Sequence, residues 1–201
     1  MRSLIDTTFY ELISMTWPTL LIAVVLVVTI RIGYLLKHRE SFVFYKEILY
    51  LCFMLYILCL FQLVTAKDLN MTDGNNFRLF HEIFRYDFGS RLFFRNIIGN
   101  VLLFIPYGFF ASWYIELKSP LKSLMLIFAA SLSIEVTQLL IGRVFDVDDI
   151  LLNVVGGMLG YFCYYILDKI CTILPVLRKE IILNILTTIV LIITILFIVW
   201  R

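Results

Sequence analysis

Six stretches of this chain are long and apolar enough to cross a lipid bilayer as helices. They are Trp17–Leu36, Ile48–Ala66, Ile97–Ile115, Ser123–Gly142, Ile150–Leu167 and Ile181–Trp200. A helix rises about 1.5 Å per residue, so about 20 predominantly apolar residues span the hydrocarbon core. The first stretch holds one charge, Arg31, and the fourth holds one, Glu135. A soluble protein of 201 residues has no interior large enough to bury six such helices. The composition agrees: 62% hydrophobic and 16% charged residues leave too little polar surface for a water-exposed domain. Strands of a membrane barrel are about half as long and alternate in polarity, and these stretches do neither. The expected fold is all-α, a multi-pass transmembrane helical bundle of about six helices, with residues 1–201 forming a single membrane domain.

Several function classes fall away at this level. A net charge of +2 with no long basic run gives no basis for a nucleic-acid partner. The first apolar stretch lacks a basic region before it and a small-residue cleavage site after it, so it reads as a retained span rather than a signal peptide. The cysteines Cys52, Cys59, Cys163 and Cys171 lie within or at the ends of apolar stretches. None forms a C-x-x-C pair, so they are expected to be buried thiols acting as small hydrophobes, and no metal or other cofactor is expected.

Charge placement suggests an orientation. One side holds the 37–47, 116–122 and 168–180 connections, with Lys37, Arg39, Lys46, Lys118, Lys122, Lys169, Arg178 and Lys179. The other holds the termini and the 143–149 turn, with Arg2, Arg143 and Arg201. It also holds the 67–95 connection, where Lys67, Arg78, Arg85, Arg91 and Arg95 are offset by Asp68, Asp73, Glu82 and Asp87. Counting every basic residue outside the spans gives a tie. The positive-inside rule, read on short loops, puts the termini and the 67–95 connection outside the plasma membrane. Within that connection Phe77, Phe80, Phe84 and Phe88 recur at helical spacing with Arg78, His81, Glu82 and Arg85 between them. This pattern predicts a short interfacial helix. It would follow the turn signal Thr72-Asp73-Gly74, with Asn75 or Asn76 as its cap and Gly89 interrupting it.

Polar residues inside the spans fall at one depth. Asn96 and Asn100 open the third span, Glu135 and Gln138 come near the end of the fourth, and Asp149 and Asn153 open the fifth. Each pair is three or four residues apart, hence on one helix face. Asn100, Glu135 and Asn153 are expected on the order of 5–10 Å inside the same boundary. The turn adds Arg143, Asp146 and Asp148, and the interfacial segment ends with Arg91 and Arg95. Glu135 is expected to pair with Arg95 or Arg143. Single amides of this kind serve as glue between helices, worth roughly 0.6–2 kcal/mol each. A converging set of carboxylates and arginines points instead to a functional pocket. Its candidate residues are Arg95, Asn96, Asn100, Glu135, Gln138, Arg143, Asp146, Asp149 and Asn153. Gly156, Gly157 and Gly160 allow close helix approach, and Pro106 is expected to kink the third span.

Three motifs here resemble the VanZ-like family: Asn96-Ile-Ile-Gly-Asn100-Val-Leu-Leu-Phe-Ile-Pro-Tyr-Gly108, Glu135-Val-Thr-Gln138, and Arg143-Val-Phe-Asp146-Val-Asp-Asp149-Ile-Leu-Leu-Asn153-Val-Val-Gly-Gly157. The resemblance covers about residues 77–167, and no motif position departs from it. It implies a multi-pass bacterial membrane protein of a family named for teicoplanin resistance. Some members lower susceptibility to lipid-tailed glycopeptide antibiotics, and no settled catalytic mechanism comes with the likeness.

Three functions are open to such a chain. As a binding protein it would engage membrane lipids and a lipid-linked envelope precursor or the lipoglycopeptide itself. Its arginines suit phosphate or carboxylate groups. As an intramembrane enzyme it would act on a lipid or lipid-linked headgroup, with Glu135, Asp146 or Asp149 as base or cation ligand. The histidines, His38 and His81, form no known catalytic motif, and no catalytic residue is assigned. As a transporter it would be expected to carry internal repeats, and none is found.

Overall fold

The computed structural model describes residues 2–39, 41–65 and 75–200. Lys67, Asp68, the Thr72-Asp73-Gly74 turn signal and Arg201 lie outside them. The helices are α1 (Arg2–His38), α2 (Phe44–Thr65), α3 (His81–Arg85), α4 (Arg91–Phe93), α5 (Gly99–Ile115), α6 (Pro120–Leu140), α7 (Val147–Ile173) and α8 (Glu180–Trp200). A π-helical turn, Phe94–Ile98, joins α4 to α5, and a 3-10 turn, Pro175–Arg178, precedes α8. Six helical stretches are long and apolar enough to cross a membrane: Trp17–His38, Phe44–Leu63, Arg91–Ile115, Pro120–Leu140, Val147–Ile173 and Glu180–Phe197. The protein is an all-α, multi-pass membrane protein.

The chain forms two compact units, Met1–Cys59 with Lys169–Arg201, and Leu60–Asp168. In the first, Arg31 forms a two-pronged ion pair with Glu47, Nε to Oε2 at 2.8 Å and Nη2 to Oε1 at 3.0 Å. Its guanidinium lies 5.2 Å from the ring centroids of both Tyr34 and Tyr50. The charge that interrupts the first span is thus neutralised by the next helix and flanked by two aromatic faces. The Tyr45 N–H donates to Asn184 Oδ1 at 2.9 Å, tying α2 to α8.

The second unit is packed around α7. A Cβ added to Gly108 would overlap the Gly157 carbonyl, one on Gly156 would overlap the Val101 carbonyl, and one on Gly160 the Ile105 carbonyl. The backbones of α5 and α7 therefore touch, as small residues permit. Gly157 seats the side chain of Ile127 from α6. Pro106 lies inside the continuous helix α5.

Two expectations are corrected. The short helix in the aromatic segment is confined to the five-residue α3, because Phe80 before it takes a left-handed conformation (φ 66°) and Tyr86 after it is extended (φ −96°, ψ 129°). Nor does Asn75 or Asn76 cap it; both bind elsewhere. The cysteines are not buried: Cys52, Cys59 and Cys163 are exposed and Cys171 is intermediate. They sit on outer helix faces, where a bilayer rather than a protein core surrounds small apolar groups.

Candidate functional site

Helix α6 has one polar interior face. Ser123, Ile127, Ser131, Glu135 and Gln138, spaced by four, four, four and three residues, are its buried positions. Leu124, Met125, Phe128, Leu132, Val136 and Leu139 are exposed. A water-soluble helix has the reverse pattern; here the polar side chains turn away from lipid and toward α5 and α7.

The end of α6 organises the site. Gly142 takes the left-handed conformation (φ 85°), and the Arg143 N–H returns to the Gln138 carbonyl at 2.9 Å. This closes the helix in the glycine-ended manner common at helix C-termini. The chain reverses and enters α7 at Val147. The Asp146 N–H then faces back and donates to Glu135 Oε2 at 3.0 Å. In the amide orientation that satisfies its neighbours, Gln138 donates to Glu135 Oε1 at 2.8 Å and accepts from Arg143 Nη1 at 3.3 Å. Glu135 is 1% exposed, yet both its oxygens have donors. Its hydrogen-bond partners are a backbone amide and Gln138; Arg143, one of the two expected partners, stands one link away through Gln138, close enough for its charge to act on the carboxylate.

The connection before α3 is clipped onto this turn. Asn76 and Asp146 form a parallel bridge, with Asn76 N–H to Phe145 O at 2.8 Å and Val147 N–H to Asn76 O at 3.1 Å. Asn76 Nδ2 donates to Asp146 Oδ1 at 2.8 Å, and the Phe145 N–H donates to Asn75 Oδ1 at 3.0 Å. Asp148, 0% exposed, accepts from the Phe80 N–H at 2.6 Å, and its own N–H donates to Asp146 Oδ1 at 2.8 Å. From α5, Asn100 Nδ2 donates to Asp149 Oδ1. One turn further inward, Asn153 Nδ2 donates to Ser131 Oγ at 3.1 Å. Each of these carboxylates accepts at least one protein N–H group. Among the described residues, no three His, Cys, Asp or Glu side chains stand close enough to hold a metal ion.

A family model for VanZ/LLP1 matches residues 44–168, well over half of the chain. The chain belongs to the VanZ/LLP1 family. No curated protein and no solved structure gives a match. The VanZ/LLP1 region begins with α2, earlier than the motifs alone indicate, and ends beside the boundary of the second unit at Asp168. It contains every candidate residue. Glu135, Gln138, Arg143 and Asp146 are joined in series and Asn100 pairs with Asp149, while Asn153 is bonded to Ser131. Arg95 is exposed and Asn96 half-buried, both in the π-helical turn before α5. Such turns recur at functional sites in helices.

Sequence reasoning left Asp148, Ser131, Asn75 and Asn76 off the candidate set. Asp148 carried a signal, being one of three acids in the Asp146-Val-Asp148-Asp149 run, where side chains at a helix start capture free N–H groups. Ser131 also carried one, four residues before Glu135 on the same face. The two asparagines looked like turn residues, and the reason for their bonds lies some 70 residues away in sequence.

Proposed function

We propose that this VanZ/LLP1 member is a binding protein of the bacterial cell envelope. It lowers susceptibility to lipid-tailed glycopeptide antibiotics by engaging a lipid-linked envelope component, or the membrane-bound drug, at the outer ends of α5, α6 and α7. The observation that carries this reading is the polar group running from Glu135 through Gln138 to Arg143, buried at its inner end and half-exposed at Arg143. A guanidinium at that rim can take a phosphate or carboxylate in two-pronged fashion. Arg91 and Arg95 add positive charge at the same ends of the helices, among exposed aromatic side chains such as Phe88 and Phe94 that suit the headgroup layer.

The termini and this cluster face outward in our reading, which follows the short-loop charge bias. The test is a resistance assay in cells lacking the gene, complemented with wild type or with Glu135→Gln, Arg143→Gln or Asp149→Asn. Each variant is expected to lose protection while its membrane level stays at that of wild type. Undiminished protection by all three removes the proposal.

A further inference from the structure

Asn153 is 4% exposed, and its Oδ1 has no hydrogen-bond partner among the described residues. Its Nδ2 donates to Ser131 Oγ at 3.1 Å, and in this orientation the oxygen is a buried acceptor awaiting a donor. Such atoms are rare because burial without a bond is costly. The position is telling: Asn153 lies one turn inward of Asp149 on α7, and Ser131 one turn inward of Glu135 on α6. Around it, Glu135 already accepts from Asp146 N–H and Gln138, and Asp149 from Asn100. A phosphate brought this deep would add oxygens to a region already lined by carboxylates. A donor completes it.

We infer that the inner end of the site reads a hydrogen-bond donor on its ligand, a hydroxyl or an ammonium N–H, through Asn153 Oδ1. This rests on the binding role proposed above and specifies the ligand: a lipid headgroup whose anionic group meets the arginine rim and whose far end presents an O–H or N–H. A water molecule can hold the position in the absence of ligand, and a headgroup donor that displaces it keeps the bond.

The experiment reconstitutes the full chain in bilayer discs and measures, by native mass spectrometry, which lipids stay bound after extraction. Phosphatidylethanolamine is compared with phosphatidylcholine, which lacks the N–H. Phosphatidylglycerol is compared with phosphatidylmethanol, which lacks the hydroxyl. Donor-bearing lipids are expected to be retained about threefold to tenfold better, the worth of one neutral hydrogen bond. Preference within the first pair only assigns an ammonium, and within the second only a hydroxyl. Asn153→Leu should abolish the preference. Equal retention within both pairs by the wild type overturns the inference even if Asn153→Leu does not fold, and so does a preference that survives Asn153→Leu. If Arg143→Gln lowers retention of all four lipids while no donor preference exists, the binding role stands and this inference alone fails. Absence of any retained lipid overturns this inference, and the resistance assay decides the binding role by itself.

Discussion

At the scale of single residues, two polar contacts separate structural necessity from function. Arg31 and Glu47 neutralise each other between α1 and α2, with Glu47 13% exposed and Arg31 32%. Replacing Arg31 with Leu leaves a mostly buried carboxylate uncompensated, a loss of about 3 kcal/mol. Thermal unfolding in detergent should show this loss largely reversed in the Arg31→Leu, Glu47→Leu double variant. Asn76→Ala removes the bond to Asp146 Oδ1 and the support Asn76 Oδ1 gives to the Arg78 N–H. An unfolding penalty of about 1–2 kcal/mol is expected. Glu135 and Asn100 were legible as members of one polar layer because helix ends fix depth and a spacing of three or four fixes face. The role of Asn76 was not, since pairing between a connection and a distant turn leaves no periodicity to read.

At the scale of elements, α5 and α7 meet backbone to backbone, so glycines at that contact differ sharply in tolerance from glycines elsewhere. Gly108→Ala, Gly156→Ala and Gly160→Ala each force a methyl group into a neighbouring carbonyl and should destabilise the protein by about 1–3 kcal/mol or more. Gly33→Ala meets nothing within 4 Å and Gly99→Ala only an ordinary contact, so both should be neutral or slightly stabilising by the helix preference of alanine. Parallel melting curves for the five variants check this division. The G-x-x-x-G spacing at 156 and 160 announced the close approach, though not its partner carbonyls. The apolar lengths announced all six spans, with ends no more than six residues off. The aromatic repeat from Phe77 to Phe88 announced a short helix but not its limits, because a period of three to four says nothing of a left-handed residue in its midst. Phe80 breaks the run where its N–H must reach Asp148.

At the scale of the whole molecule, the orientation proposal is open to direct chemistry. The native cysteines are first replaced by serine or alanine. Arg78→Cys and Lys122→Cys, both at exposed positions at opposite ends of the second unit's helices, then report sidedness. A membrane-impermeant thiol reagent added to intact cells should label position 78 and leave position 122 untouched until the membrane is opened. The reverse pattern would turn the cluster toward the cytoplasm and remove the envelope-facing role. Composition made the membrane setting plain from the start, whereas division into two compact units depends on packing between helices far apart in sequence and left no compositional boundary. The clip between Asn76 and the Phe145–Val147 turn also bears on biogenesis. Glu135 on α6 takes one of its donors from the Asp146 N–H, which follows it in the chain. The earlier segment, in turn, waits roughly 70 residues for the strand-like turn it must grasp. Assembly of this end of the protein is therefore a late event, completed only after α7 is inserted. A chain that stalled before it would hold Glu135 by Gln138 alone, short of the donor that the finished turn supplies.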